Sequence, residues 1–349
     1  MSQKSTKILF LLKYREASGG PTCGPYSQPL HSGLFNSASF VVEKLKQDKF
    51  DVVLDHTIDG NCVDRLVTLH KPDVVVLEAY WVTPAKFVEL KKLHPKINWI
   101  VRSHSEIPFI ACEGIAMNWT IQYLRLGIYV AFNSYRACED VKALNTADKS
   151  WDNKYLLYLP NYYPINEFEK KKRKQSEDVH VSCFGAIRPL KNQLIQAVAA
   201  IKFADKLGKN LRFHINGTRI ETKGETVIFN LIDLFKHLTK HKLVIHDWAP
   251  HPEFLALVGK MDIGLQCSYT ESFCIVAADH VAKGVPIVTS NQVSWLGKLF
   301  YPDSSSSDSI VNNMLWAYHN PWHAWHNWCR LRDYSTEAAC QWWSVLSKF

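Results

Sequence analysis

The sequence predicts an α/β protein made of two doubly wound parallel-sheet domains, and three observations carry that expectation. At 349 residues the chain exceeds what one core usually holds and suits two domains of roughly 150 to 170 residues. Short β-branched runs such as Asp51-Val-Val-Leu-Asp55 and Asp73-Val-Val-Val-Leu77 alternate with helical segments, the rhythm of buried strands joined by crossover helices. The same rhythm resumes beyond a basic stretch, Glu169-Lys-Lys-Lys-Arg-Lys174, that reads as a linker.

Taken in order, Ile8–Leu12 is a first strand, followed by a Gly-, Pro- and Ser-rich loop from Lys13 to Ser32, long enough to expect either a function or disorder. Gly33-Leu-Phe-Asn36-Ser37-Ala38 opens a helix reaching Gln47, with Asn36 and Ser37 suited to its cap. Glu78-Ala-Tyr80-Trp81 follows the strand at Asp73–Leu77, at the carboxyl end where open α/β sheets hold ligands. Tyr80 and Trp81 either shape a binding surface there or pack. Asn98-Trp-Ile-Val-Arg102 brings Ser103-His104-Ser105-Glu106 to the same edge, where a histidine beside a glutamate suits either chemistry or structure. Ile128–Phe132 ends in the strand stop and helix cap Asn133-Ser134, and Leu156–Leu159 closes the first domain.

The second domain opens with the strand Val179–Phe184 and then Gly185-Ala-Ile-Arg188-Pro189-Leu-Lys191, where a glycine and two cations near a helix start can hold a diphosphate. Leu211–Ile215 leads to the turn Asn216-Gly217-Thr218, and Leu243–Asp247 to Trp248, which either stacks on a base or packs. The stretch organising the chain runs from Ser268 to Ser290. Its loop carries Glu271, a helix is expected to open at Ser272-Phe273-Cys274, Asp279 lies eight positions after Glu271, and Gly284-Val285-Pro286 turns into a strand. Free amides at a helix start attract phosphate, and carboxylates accept hydrogen bonds from hydroxyls. A ligand hydroxylated at both ends and phosphorylated in the middle fits, as a nucleoside diphosphate sugar would; an ordinary amphipathic helix is the alternative. Near the C-terminus Trp316, Trp322, Trp325, Trp328, Trp342 and Trp343 interleave with His319, His323 and His326, a spacing open to metal ligation or base stacking but also to helix anchoring.

Composition narrows the function classes. The formal charge of +8 favours an anionic partner: a nucleotide, nucleic acid or membrane surface. Nine cysteines without a C-x-x-C pair indicate neither a disulfide framework nor a zinc cluster. With no signal peptide and no apolar run near the ~20 residues of a spanning helix, a soluble cytoplasmic protein, or one in the host cytoplasm if viral, is expected.

The Glu271 to Pro286 stretch resembles the E-x7-E signature of GT-B glycosyltransferases of the family-4, retaining type, with Asp279 in place of the second Glu. Gly185 and Lys191 resemble that family's Gly-Arg-(x)4-Lys clamp, although Ala186 stands where its Arg would be and Arg188 lies two positions late. His104 matches the family's strand-end histidine near the donor's primary hydroxyl, and His104–Trp119 looks like phage- and virus-encoded GT-B-like proteins. The resemblance implies two Rossmann-like domains facing a cleft: an acceptor-side domain over 1–168, a nucleotide-sugar domain over 169–320, and a Trp-rich helix over 321–349 packing back on the first. It implies His104, Glu271 and Lys191 as catalytic residues, and Gly185, Arg188, Lys191, Trp248, Glu271, Ser272, Phe273 and Asp279 as donor-binding ones. Asn36, Tyr80, Trp81 and Glu106 would bind the acceptor. No metal or cofactor is required, in keeping with the absence of a D-x-D triplet; the donor is expected to be UDP-linked. Charge, aromatic content and the virus-like stretch point to a hydroxymethylated pyrimidine in double-stranded DNA as acceptor. A glycan, lipid or small-molecule acceptor, or a module that binds or hydrolyses nucleotide sugars without transfer, is the alternative. A non-catalytic nucleic-acid binder is a third reading, and the protein would be a monomer or homodimer.

Overall fold

The computed structural model of the chain describes residues 6–13, 33–170, 175–221, 223–297 and 301–349. The expected long loop at 14–32 and most of the basic run at 169–174 lie outside them. Two compact units are present: Met1–Pro164 with Ser335–Phe349, and Ile165–Tyr334. The sequence boundaries were expected after 168 and after 320. The second differs because residues 321–334 belong to the second unit and only Ser335–Phe349 to the first, a division within one helix that helical patterning does not mark.

In the first unit the order is β1 (Lys7–Lys13), α1 (Gly33–Gln47), β2 (Asp51–Thr57), α2 (Val63–His70), β3 (Val74–Glu78), α3 (Pro84–Leu93), β4 (Asn98–Ser103), α4 (Ile107–Ile110), α5 (Ala116–Arg125), β5 (Tyr129–Phe132), α6 (Tyr135–Asp148) and β6 (Leu156–Tyr158). The six strands form one parallel sheet in the order β2-β1-β3-β4-β5-β6. Alternate side chains of these apolar strands enter two separate cores, Leu9, Leu11, Val75 and Leu77 in one and Ile8, Phe10, Val74 and Val76 in the other. Every residue of β3 is buried, which explains why the strand reads as a continuous apolar run. Helix starts follow local chemistry: Thr83 Oγ1 accepts from Lys86 N ahead of Pro84, and Ser134 Oγ from Ala137 N. Asn36 and Ser37 lie inside α1, which begins at Gly33, so neither caps it; buried Ser37 instead accepts a hydrogen bond from Asn161 Nδ2 at 3.2 Å.

The second unit contains β7 (Asp178–Ser182), α7 (Gln193–Leu207), β8 (Asn210–Asn216), α8 (Gly224–Lys236), β9 (Lys242–His246), α9 (His251–Val258), β10 (Ile263–Gln266), α10 (Ile275–Ala282), β11 (Ile287–Thr289) and α11 (Ser307–His319). Its five parallel strands are ordered β11-β10-β7-β8-β9. One face is apolar, with Val179, Val181, Leu211, Phe213, Ile263 and Leu265 packed against buried residues of α7, α8 and α11. The residues alternating with these include His180, Ser182 and His214, and here the sheet is polar. His180 Nδ1 and His214 Nε2 lie 2.9 Å apart, and His214 Nδ1 and His246 Nε2 2.8 Å apart, a ladder across three strands. Burial, joined by the charges of His180, His246 and Arg212, pushes the His214 imidazole down to about 3.

The last helix, α12 (Pro321–Leu346), contributes to each unit in turn. In the second, Trp328 Nε1 donates to Asn166 O at 3.0 Å; in the first, Trp342 Nε1 donates to Pro160 O at 2.7 Å. His323 is buried and bonded to Asn327 at 3.3 Å, while Trp322 is 70% and Trp325 45% exposed. Among the described residues no group of three or more His, Cys, Asp or Glu is arranged to hold a metal ion, and no helix is long and apolar enough to cross a membrane.

Candidate functional site

In the second sheet the chain leaves β7 towards β8 on one side, yet β10 pairs with β7 on the other, so β7 and β10 flank the point where strand order reverses. Ligands of open α/β sheets bind outside the carboxyl ends of such a strand pair. The loops leaving these strands carry Gly185 to Lys191 and Ser268 to Glu271. They are stitched together by Tyr269 N to Leu190 O at 2.9 Å and by Asn192 Nδ2 to Cys267 O at 3.0 Å.

Across this junction the Lys191 ammonium is paired with the Glu271 carboxylate. Gly185 stands beside them at φ +114°, its N–H donating to Asn216 Oδ1 at 3.0 Å. A Cβ built there would have Lys191 Cε and Val276 Cγ2 as its nearest neighbours, both at 4.0 Å, so the backbone is open to close approach by a ligand. Asn192 at φ 60° and Cys274 at φ 62° also hold left-handed conformations in these two loops. Strained backbone of this kind gathers at ligand sites.

The helix expected to open at Ser272 begins at Ile275, because left-handed Cys274 interrupts it. Its first-turn amides are therefore those of Ile275 and Val276, not of Ser272 and Phe273. Phe273 is buried; its carbonyl accepts from Trp295 Nε1 at 2.6 Å and its ring stacks on Tyr334 at 5.4 Å, so it anchors the loop. Asp279, buried on α10, bonds to His251 Nε2 of α9 at 2.7 Å. Arg188 pairs with Glu221 at 3.2 Å, and Glu221 also accepts from Arg219 Nε at 2.6 Å. The Arg219 guanidinium lies 5.3 Å from the ring centroid of half-buried Trp248.

The first unit has a corresponding reversal, with β1 between β2 and β3, and its strand ends hold a buried polar network. Glu78 and Arg102, direct register partners on β3 and β4, are both fully buried. Arg102 Nη1 donates to both Glu78 oxygens, at 3.2 and 3.3 Å; its Nε donates to Leu159 O at 3.2 Å and its Nη2 to Asn161 Oδ1 at 2.5 Å. His104 Nε2 meets Glu78 Oε2 at 2.5 Å. Burial alone would push the Glu78 carboxyl up, but Arg102 and His104 hold it below its ordinary value. Burial and then Arg102 push the His104 imidazole down, so it is held neutral beside an anionic Glu78.

The four residues assigned from the sequence to acceptor binding also belong to this unit. Tyr80 Oη shares a 2.8 Å hydrogen bond with Thr120 Oγ1, and burial pushes its hydroxyl up to about 12. Trp81 Nε1 donates to Glu78 O at 2.9 Å. Glu106 is buried and paired with Arg136 at 3.0 Å, while Asn36 is half-buried on α1. The site residues assigned from the sequence did not include Glu78, Arg102, Asn133, Asn161 or His251, which the structure brings into these networks. A usable signal was present for the first two, since each is a charge near the end of an otherwise apolar strand.

Comparison with known proteins follows the same lines. Residues 164–305 match the family model described as glycosyl transferases group 1. A search of curated proteins by sequence gives no match. Among solved structures, the sucrose-phosphate synthase of Thermosynechococcus elongatus is 12% identical with a TM-score of 0.68, covering 98% of this chain and 98% of that one. A glycosyltransferase from Rickettsia africae is 13% identical with a TM-score of 0.64, covering 99% of each chain. The α,α-trehalose 6-phosphate synthase of Burkholderia multivorans is 10% identical with a TM-score of 0.65, covering 98% of this chain and 97% of that one. The match to glycosyl transferases group 1 thus falls on the second unit, and the two parallel-sheet units have the fold of GT-B glycosyltransferases.

Proposed function

We propose that the protein transfers a sugar from a nucleotide-sugar donor to an acceptor hydroxyl with retention of anomeric configuration. The observation that carries this reading is the meeting of Gly185, Lys191 and Glu271 at the strand-order reversal of the second sheet. A donor diphosphate would approach over the open backbone of Gly185 and take Lys191 from Glu271. The carboxylate then becomes available to accept hydrogen bonds from sugar hydroxyls. As the bond to the anomeric carbon breaks, charge accumulates on the departing diphosphate. Lys191 and the first-turn amides of Ile275 and Val276 would stabilise it without reorganising. The reading needs no divalent cation for this step, because these groups supply the positive charge. Asp279, steadied by His251, would accept from the ribose, and Trp248 would stack on the base.

For the acceptor, the neighbours named as sucrose-phosphate and trehalose 6-phosphate synthases favour a small hydroxylated molecule. No comparison supports hydroxymethylated DNA, which enters only as an arm of the test. Thermal shift and calorimetry with UDP- and GDP-sugars in EDTA should give one saturable donor, a UDP-sugar being tried first. Mass spectrometry with sugar phosphates, a glycan and hydroxymethylated DNA then identifies the product, and the NMR coupling of its anomeric proton gives its anomeric form. Absence of donor binding overturns the reading, and donor turnover without any acceptor reduces it to hydrolysis.

A further inference from the structure

We propose that Gln196 is a positioning residue of the diphosphate site. Its buried amide fixes the backbone of Lys191 against the strand end that leads to Glu271, and holds it there when a diphosphate draws Lys191 from that carboxylate. Gln196 lies in the first turn of α7 and is 0% exposed. The other buried residues of the helix include Ala197, Ala200, Phe203 and Ala204, and an amide buried among them is costly unless its polar atoms are bonded. Here both ends of the amide are. Gln196 Oε1 accepts from Cys267 N at 2.8 Å, and Nε2 donates to Lys191 O at 2.8 Å and to Asn192 O at 3.2 Å. The amide has one orientation, since a backbone N–H only donates and a carbonyl only accepts.

One side chain therefore spans both loops of the site. Lys191 precedes Asn192, the cap of α7, so its carbonyl lies outside the helix's own hydrogen-bond ladder and is taken by Gln196 instead. Cys267 directly follows β10 and stands four positions before Glu271. Two further ties, Asn192 Nδ2 to Cys267 O at 3.0 Å and Tyr269 N to Leu190 O at 2.9 Å, join the same loops without involving Lys191. In the unliganded protein the Lys191–Glu271 pair also closes the junction. A diphosphate that takes the ammonium opens that pair, and the Gln196 amide is then what still fixes Lys191 against the second loop. The inference rests on reading this junction as a diphosphate site, not on the transfer of a sugar.

Calorimetric titration of the folded fraction with inorganic pyrophosphate, and separately with a UDP-sugar, tests it. Gln196→Met, of similar length and apolar, should weaken pyrophosphate binding roughly tenfold, the worth of about one buried hydrogen bond. Gln196→Glu is the sharper arm. A protonated carboxyl accepts from Cys267 N–H and donates to Lys191 O as the amide does, whereas an ionised one turns an oxygen towards two carbonyls. Burial raises the pKa of such a carboxyl, so Gln196→Glu should bind as the wild type does near pH ~6 and progressively more weakly towards pH ~9. The titratable groups of the two loops, Arg188, Lys191, Cys267, Tyr269 and Glu271, are common to both proteins, so the ratio to wild type at each pH isolates the introduced carboxyl. This arm serves equally if Gln196→Met does not fold. A lowered urea midpoint with wild-type pyrophosphate affinity would make Gln196 a structural residue and overturn the proposal, as would a flat pH ratio or a wild type that takes up no pyrophosphate. Pyrophosphate binding that follows these rules without uptake of any nucleotide sugar would keep the positioning and remove the glycosyltransferase reading.

Discussion

The Lys191 ammonium and the Glu271 carboxylate are bonded to each other across the loops that leave β7 and β10, with side chains only 11% and 8% exposed. Removing one partner from such a pair leaves an uncompensated charge with little water, which costs about 3–5 kcal/mol, whereas removing both is far milder. Lys191→Met and Glu271→Leu should each lower the urea midpoint, and the double variant should recover much of it. None of the three should bind a nucleotide sugar, because stability and donor binding draw on the pair differently. Donor titration of the double variant decides the matter: retained affinity would remove Lys191 and Glu271 from the donor site.

Much of this arrangement was legible in the sequence, for physical reasons that particular residues illustrate. Strands buried on both faces must be apolar throughout, so Val74–Leu77 and Ile8–Leu12 announce themselves. The motif resemblance placed Lys191 and Glu271 in the loops after two strands, where they stand, but their pairing with each other was not foreseen. What failed was local or pairwise. A left-handed Cys274 delays α10 to Ile275, and a φ value leaves no trace in apolar periodicity. The Glu78–Arg102 pairing depends on register between two strands, which a single chain does not state. Likewise, that His251 would meet Asp279 follows from the packing of α9 on α10 and not from their spacing.

The histidine ladder makes the second unit acid-sensitive. His214 in the folded protein titrates at about 3, below the ordinary 6.5, because burial and the neighbouring positive charges oppose its protonation. Below 6.5 the unfolded chain takes up a proton that the folded one refuses, so stability is complete above 6.5 and is lost as pH falls towards 3. The slope from this one group is about 1.4 kcal/mol per pH unit. Denaturant titrations across that window should show His214→Gln with a shallower slope than wild type by about that amount. Parallel curves would mean the ladder carries the proton without strain.

Trp342 ties the end of α12 to the first unit. Its ring lies against Phe10 and Arg102, it is 1% exposed, and its Nε1 donates to Pro160 O at 2.7 Å. Trp342→Ala should cost about 3–5 kcal/mol through the cavity it leaves. Trp342→Phe retains most of the apolar contact but leaves the Pro160 carbonyl unanswered, so about 1–3 kcal/mol is expected. Equal losses in urea denaturation for the two variants would show that the hydrogen bond, not the packing, holds the helix.

Two glycines of the second unit separate a ligand effect from a packing effect. At Gly185 a methyl group would meet nothing closer than 4.0 Å, so Gly185→Ala is opposed only by its backbone at φ +114°, a cost of about 1–3 kcal/mol. The methyl nevertheless stands beside Lys191, where a diphosphate would approach. At Gly264 a Cβ would lie 2.5 Å from His280 Cδ2, so Gly264→Ala must displace a ring that Ser182 Oγ holds at 2.7 Å. Overpacking of that kind costs about 1–3 kcal/mol as well, but at a distance from the phosphates. Comparable losses of stability are thus expected, with donor affinity falling at least about tenfold, or ~1.4 kcal/mol, only for Gly185→Ala. Calorimetric titration on the folded fraction of each variant measures this. If both variants bind donor as the wild type does, the loop after β7 does not cradle the diphosphate.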